Sequence, residues 1–384
     1  MEIPNTADIV IIGGGVMGAS TAFHLAARGQ KNIVLLEKER FFGQGATGRC
    51  AGGVRYQFGT EVNVRLSMES LPMFERFEEE TGQQIDFRKC GYLFLLTKEE
   101  DLRVFRNTLA MQQRLGVQTE WLGSDEIRRR LPMMELNDVL GGTFNASDGL
   151  VDPNSVVMGY VSAGQKLGVQ AFSEVEATAI SVMHGRVAGL MTSAGSISTP
   201  LIVNAAGPWA GITGLMAGVE IPITPIRRQM LTTDALPEIP EDFPFVIDFG
   251  QSLYFHREGP GILTGMSNPR QVPGFDQNID QDWELVHLEA AAARLPALQN
   301  ARLVSHWAGL YEVTPDAHPI FGATAVEGFL VCAGFSGHGF MHGPITGKLM
   351  SEIILDGKAD SVDVSMLDLN RFQEERLISE YNVV

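Results

Sequence analysis

Cysteine is scarce in this 384-residue chain: Cys50, Cys90 and Cys332 are the only three, and none stands in a CxxC spacing. Neither a disulfide framework nor a zinc site is signalled, so no metal is expected and a reducing, cytoplasmic setting fits best. Basic residues are also in deficit. The 29 Lys and Arg against 46 Asp and Glu leave a formal charge of −17, which repels polyanions and excludes a general nucleic-acid footprint. Any anionic substrate must meet a local arginine or lysine. Long apolar runs are missing as well. The one uncharged stretch of membrane-spanning length, residues 201–219, is interrupted by Asn204, Pro208 and four glycines and reads as strand, loop and helix start, not as a membrane anchor. No basic segment with a small-residue cleavage site precedes the first apolar run, so no secretory leader is expected.

What is present is globular: 45% hydrophobic and 20% charged residues, in a chain long enough for two domains sharing a cleft. Residues 7–12 (ADIVII) form the short β-branched run of a strand buried on both faces. A glycine-rich turn, a helix over 19–28 closing at Gly29 and a second strand over 32–36 complete a βαβ unit. Further on, the apolar spacing predicts helices over 67–81, 97–115, 154–167 and 345–355. Strands are expected over 92–96 and 142–144, and a small antiparallel sheet over 169–182 and 187–192. Residues 201–205 and 328–333 repeat the pattern of a buried strand meeting glycine, while 220–308 is strand-rich and broken by proline, as suits a cavity floor. The nucleotide-type pattern therefore recurs near residues 10, 203 and 331. The expected fold is α/β (α+β): a discontinuous Rossmann-type domain (1–85, 146–219 and 309–384) with an inserted antiparallel-sheet substrate domain (86–145 and 220–308).

The turn itself, Gly13-Gly14-Gly15-Val16-Met17-Gly18, fits GxGxxG between strand and helix. Gly13 permits the tight turn, Gly15 lets backbone approach a pyrophosphate, and Gly18 lets helix pack on strand. The helix N-terminus with Val16 and Met17 then aims N–H groups and a positive dipole end at the phosphates. Glu37, 37 − 18 = 19 residues beyond the last glycine, is placed to accept ribose hydroxyls, with Lys38 beside it. FAD and NAD both use such a turn.

Five segments decide between them: the N-terminal βαβ, GATGRCAGG (45–53), LIVNAAGPWA (201–210), WAGLYEVTPDAHPIFG (307–322) and GFSGHGF (334–340). Together, in this order, they resemble the D-amino-acid oxidase superfamily of flavoproteins, nearest to its sarcosine oxidase-like and proline dehydrogenase β-subunit-like branch. The resemblance implies FAD, with Thr47, Gly48, Arg49 and Gly53 along the pyrophosphate and flavin, Val175 against the adenine, and Ala206, Gly207 and Trp209 at a close approach. It also implies that Gly337, His338, Gly339, Phe340 and Met341 bring donors to the flavin edge. Trp209 also reads as a packed core aromatic.

Departures from the family pattern shape the expected chemistry. The position that carries a flavin-linking cysteine in some relatives is Gly309, so noncovalent FAD is expected. A lysine associated with oxygen reactivity is replaced by Leu263, which favours a dehydrogenase. The carboxylate-binding arginine of WAGLR is Tyr311, and the family's second carboxylate ligand is Met341. That leaves Arg55, in GGVRYQF, as the expected carboxylate clamp, with Tyr254 and His256 of SLYFHRE along a strand facing the cavity. The implied activity is hydride transfer from a small, secondary or N-methyl amino acid to flavin N5, giving an imine that hydrolyses. An NAD-dependent dehydrogenase, and a flavin subunit passing electrons to a hetero-oligomeric partner, are the alternatives.

Overall fold

A computed structural model describes residues 2–383. The first apolar run forms the strand Ile9–Ile12, fully buried along its length. Its alternate residues serve two cores, which is why the run has no polar position. Ile9 and Ile11, with Ile33 and Leu35, face one apolar cluster; Val10 and Ile12, with Val34 and Leu36, face another. The first cluster is closed by helices Val16–Ala27, Pro153–Lys166 and Gly339–Asp356. The second is closed by a three-stranded antiparallel sheet, Ala177–Met183, Arg186–Thr192 and Gly195–Ser198.

The sandwiched sheet has six strands in the order Ile320–Ala323, Phe329–Ala333, Ile202–Asn204, Ile9–Ile12, Ile33–Leu36, Gln170–Phe172. All neighbours are parallel apart from the Ile320–Ala323 hairpin edge. From Ile9–Ile12 the chain crosses to one side and returns later to the other. The gap between Ile9–Ile12 and Ile202–Asn204 is thus the switch point where open α/β sheets bind ligands.

A second sheet of eight strands runs Leu303–Val313, Thr224–Thr233, Gly261–Met266, Leu253–Glu258, Phe245–Asp248, Tyr92–Leu96, Gly141–Asn145, Glu120–Gly123. It is antiparallel except between Phe245–Asp248 and Tyr92–Leu96. The expected Rossmann unit and antiparallel sheet are both present.

Several boundaries differ from the sequence expectation. The strand expected over 169–182 is two: Gln170–Phe172 extends the parallel sheet, and Ala177–Met183 opens the small antiparallel one. Glu174, with φ +59°, turns the chain between them. The helix expected over 67–81 is two, Glu61–Glu75 and Phe77–Thr81, and its early start is disguised because Val62, Val64 and Leu66 alternate as a strand would. The last helix starts at Gly339 rather than 345, its first turns disguised by Gly343 and Pro344. A helix over Gln281–Arg294 was not expected; Asp280 caps it through Trp283 N at 3.1 Å. Residues 201–219 resolve into the strand Ile202–Asn204, a 3-10 turn Gly207–Trp209 and the helix Ala210–Met216. Among the described residues no helix is long and apolar enough to cross a membrane.

The C-terminal segment is tied to the core by charge. Arg371, with no exposed side-chain surface, donates to both carboxylate oxygens of Asp316 at 2.9 and 3.0 Å. Burial works to raise the Asp316 pKa, but the guanidinium outweighs it and holds the carboxyl below its usual range. A depressed folded pKa stabilises above the unfolded value and is lost as pH falls through the folded one. Arg371→Met therefore lowers stability by about 3–5 kcal/mol in urea unfolding at neutral pH, because a buried carboxylate is left unpaired. The deficit relative to the parent shrinks below the ordinary carboxylate pKa.

Candidate active site

At the carboxyl ends of the parallel strands lies a groove with about 1250 Å³ of empty space, lined by Ile12, Leu36 and Ala205 at the strand ends. The glycine turn forms its floor, and its three motif glycines have separate reasons. A Cβ on Gly13 would lie 2.2 Å from the Ala205 carbonyl, and one on Gly18 would lie 1.9 Å from the Gly13 carbonyl. Both are bare because backbone presses on backbone. Gly15 is different: a Cβ there would meet only the Thr47 hydroxyl at 3.1 Å, so its bareness is not needed for packing. It faces the groove together with Val16 and Met17. The helix that begins at Val16 has no side-chain cap in the hydrogen-bond sense at Gly15 and no acid in its first turn. Thr47 Oγ1 accepts from Val16 N at 3.2 Å. This arrangement leaves a positive helix end facing space that fits a diphosphate.

Glu37 stands at the far wall. Its Oε2 accepts from Gly14 N and its Oε1 from Glu39 N, each at 2.8 Å, which fixes the carboxylate while leaving lone pairs for sugar hydroxyls. Burial raises its pKa, and the two backbone donors oppose that. Lys38 lies 3.6 Å above the Trp209 ring, and Trp209 stacks on Phe275. Trp209 is thus a groove wall, not a core residue. Val175, Ala206 and Gly207 line the same groove; the Val175 N–H donates to the Glu37 carbonyl at 2.9 Å. These features fit FAD: a bare Gly15, an acid fixed at the sugar end and a helix N-terminus with no acid in its first turn.

A second cavity of about 820 Å³ lies behind the first. The two share Ala46, Cys50, Leu310, Tyr311, Gly337 and Phe340 as a common wall. Arg49, Gly53, Arg55, Tyr254, Gly309, His338 and Met341 line the inner cavity, as does Val383 from the C-terminal segment. The Gly337 turn (φ +95°) lets Tyr311 close in: a Cβ there would sit 2.2 Å from its ring. Gly339 starts the last helix, with His338 as its N-cap residue.

The inner cavity is dominated by positive and neutral groups; among the described residues no acidic side chain lines it. Burial pushes Tyr92 and Tyr254 well above their usual value, so both keep their protons. Burial also holds the His338 ring neutral, and neither of its nitrogens has a partner among the described residues. Arg55 is buried, with its guanidinium 4.0 Å over Phe58. It donates to the carbonyls of Gln57 and Asn382.

Not every expected site residue reaches a cavity. Gly18 acts through helix–strand packing, and Gly48 through its approach to the Gly43 carbonyl, 2.5 Å from a would-be Cβ. Arg49 is an anchor: it donates to Gln44 and Ala308 carbonyls at 3.3 and 2.7 Å, and Gly309 is bare because the Arg49 Cβ lies 3.0 Å from where its own would be. His256, expected at the cavity, is outside it. Its ring is buried against Phe245, its Nδ1 meets the Arg257 carbonyl at 2.8 Å, and burial lowers its pKa to about 4. Leu263, its cross-strand neighbour, lines neither cavity.

Several lining residues escaped sequence reasoning, among them Tyr92 of the inner cavity. Glu312, lifted by burial to about 7, faces the groove with Oε2 unpartnered and Oε1 accepting from Phe335 N at 3.2 Å. Arg228 faces the inner cavity. The signal for it was available: adjacent arginines in one strand must point to opposite faces.

The glycine geometry separates folding from binding. Gly18→Ala lowers stability by about 2–3 kcal/mol, because a methyl must enter space held by a backbone carbonyl. Gly15→Ala melts within about 1 kcal/mol of the parent but binds FAD at least roughly tenfold more weakly, since the methyl occupies the diphosphate's approach. Thermal melts and fluorescence titration of the apoprotein with FAD read the two effects.

Comparison with known proteins agrees with this geometry. The chain is 31% identical to rat (Rattus norvegicus) mitochondrial dimethylglycine dehydrogenase over 97% of its own length and 45% of that protein. It is also 31% identical to human mitochondrial sarcosine dehydrogenase, over 96% of its length and 42% of that protein. It therefore spans less than half of these relatives. The crystal structure of L-proline dehydrogenase from P. horikoshii superposes with a TM-score of 0.91 at 31% identity, covering 98% of this chain and 100% of that one. Residues 8–353 match the family model described as FAD dependent oxidoreductase. The chain belongs to this FAD-dependent oxidoreductase family, which decides the dinucleotide in favour of FAD over NAD.

Proposed function

We propose that the chain oxidises the C–N bond of a small amino acid, secondary or N-methylated, to an imine that water hydrolyses. The observation that carries this reading is the inner cavity: it abuts the dinucleotide groove through a shared wall and, among the described residues, is lined by arginines and neutral donors with no acidic side chain. Gly13, Gly15, Glu37 and the last helix's N-terminus would hold FAD, which would supply the hydride acceptor. The chain's own residues do the rest.

A cavity of this polarity favours a carboxylate and disfavours an ammonium. An amino acid therefore binds with its amine deprotonated, which exposes the nitrogen lone pair that drives hydride loss from the adjacent carbon. No side-chain base is needed. Tyr254 and Tyr92 remain protonated and orient the substrate as donors, and the apolar walls of Phe245, Ile247 and Met230 exclude water. Noncovalent FAD belongs to the same reading: Gly309 offers no link, and the one cysteine on the shared wall, Cys50, has its thiol pushed up to about 12 by burial, away from the reactive thiolate. Cys50, Cys90 and Cys332 are unpaired, in keeping with a reducing compartment.

Anaerobic mixing of the FAD-loaded chain with sarcosine, proline, glycine and D-amino acids is expected to bleach the flavin absorbance, fastest with a secondary or N-methyl amino acid. No bleaching by any of them contradicts the proposal. In steady state kcat/KM rises with pH between about 6 and 9, following the substrate amine, with no histidine contributing an inflection. The reason is that His256 and His342 are held by burial near 4 and 3. Acid precipitation releases all the yellow colour to the supernatant.

A further inference from the structure

The strand Thr224–Thr233 carries two adjacent arginines with opposite surroundings. Arg227 faces outward and is fully answered: its guanidinium reaches Asp276 at 2.7 Å and Asp280 at 3.4 Å. Arg228 faces the inner cavity together with Met230, two residues on, as strand alternation requires. Its cross-strand neighbour is Gly309, which places no side chain beside it. Its guanidinium lies 5.0 Å from the Tyr311 ring centre, and NH1 donates to the Arg227 carbonyl at 3.1 Å. Among the described residues it has no ion-pair partner, and its Nε is buried without an acceptor.

Arg55, the other arginine in the cavity, is in a different position. Its two terminal nitrogens hold the carbonyls of Gln57 and Asn382. Two buried acids, Glu380 and Asp148, act on its charge. Glu380 is itself fixed by Gly59 N, Thr60 and Asn63. Burial weighs most on Arg228, and among the described residues the charges acting on it are the phenols of Tyr311 and Tyr254. A partly desolvated guanidinium without an acid is costly unless an anion arrives.

We propose that Arg228, not Arg55, is the substrate's carboxylate anchor, and that Arg55 secures the segment around Asn382 as part of the cavity wall. The anchor sets the substrate class as amines bearing a carboxylate, gripped by the free edge of the Arg228 fork beside Gly309 and Tyr311. The inference rests on the proposed amino-acid oxidation, but its test does not require turnover.

Methoxyacetate and tetrahydrofuran-2-carboxylate, oxygen isosteres of sarcosine and proline, carry the carboxylate and no oxidisable amine. Titrated into the FAD-loaded full chain, their binding is read by perturbation of the flavin spectrum and by calorimetry. Arg228→Met is expected to weaken the tighter isostere on the order of 50-fold, the loss of a charge-assisted pair of hydrogen bonds. Arg228→Lys keeps the charge but not the fork, and is expected to lose about tenfold. Arg55→Met is expected to change affinity less than about threefold while increasing protease cleavage near residue 380. Isostere affinity unchanged in both Arg228 variants, with thermal melts like the parent's, overturns the proposal. So does failure of both isosteres to bind the parent chain. Arg228-dependent binding in a protein whose flavin no amine bleaches leaves the anchor standing and removes the oxidation reading alone.

Discussion

Everything in this molecule hangs on the contact of three backbone segments at the end of the first strand. Gly18 lies against the Gly13 carbonyl and Gly13 against the Ala205 carbonyl, with no room for a methyl at either place. That approach brings the helix Val16–Ala27 onto the strand Ile9–Ile12 and draws Ile202–Asn204 alongside. It opens a groove at the strand ends and points the helix N-terminus into it. Glu37 and the 45–50 segment then have a fixed frame to close on, and the second sheet meets the groove along a wall it shares with the inner cavity.

The two cavities have complementary electrostatics. The groove offers a helix dipole to a diphosphate and an acid to a sugar, while the inner cavity offers guanidinium groups and neutral phenols and, among the described residues, no acidic side chain. In a chain of net charge −17, this local reversal of sign is a built feature. Burial prevents Tyr92, Tyr254, His338 and Cys50 from changing charge near neutrality, so these four wall groups stay neutral there.

The nucleotide site was legible in the sequence because its determinants are local: a buried strand, three glycines at fixed spacing and an acid after the next strand. Gly13, Gly15, Gly18 and Glu37 stand where the motif puts them. The inner cavity was only partly legible, because its residues come from strands far apart in the chain. Arg55 and Tyr254 reach it, but His256 does not: strand alternation gives a face and not the depth at which that face leaves the cavity. Arg228 was legible only in part: strand alternation sends the two adjacent arginines to opposite faces, and only the fold reveals that Asp276 and Asp280 answer one of them. The start of the last helix was obscured by its own glycines and Pro344, which the tertiary approach of Val16 and Ser20 requires to be small at Gly343 and Gly347.

The most direct test of the account is a crystal structure of the chain loaded with FAD. The account predicts the diphosphate at Gly15 and the first turn of the helix Val16–Ala27, the ribose at Glu37, and the flavin ring against the wall formed by Cys50, Tyr311, Gly337 and Phe340, with one face open to the inner cavity. Density placing the ring elsewhere, or a protein layer between it and the cavity that holds Arg228 and Tyr254, would contradict the claim that the two spaces form one reaction chamber.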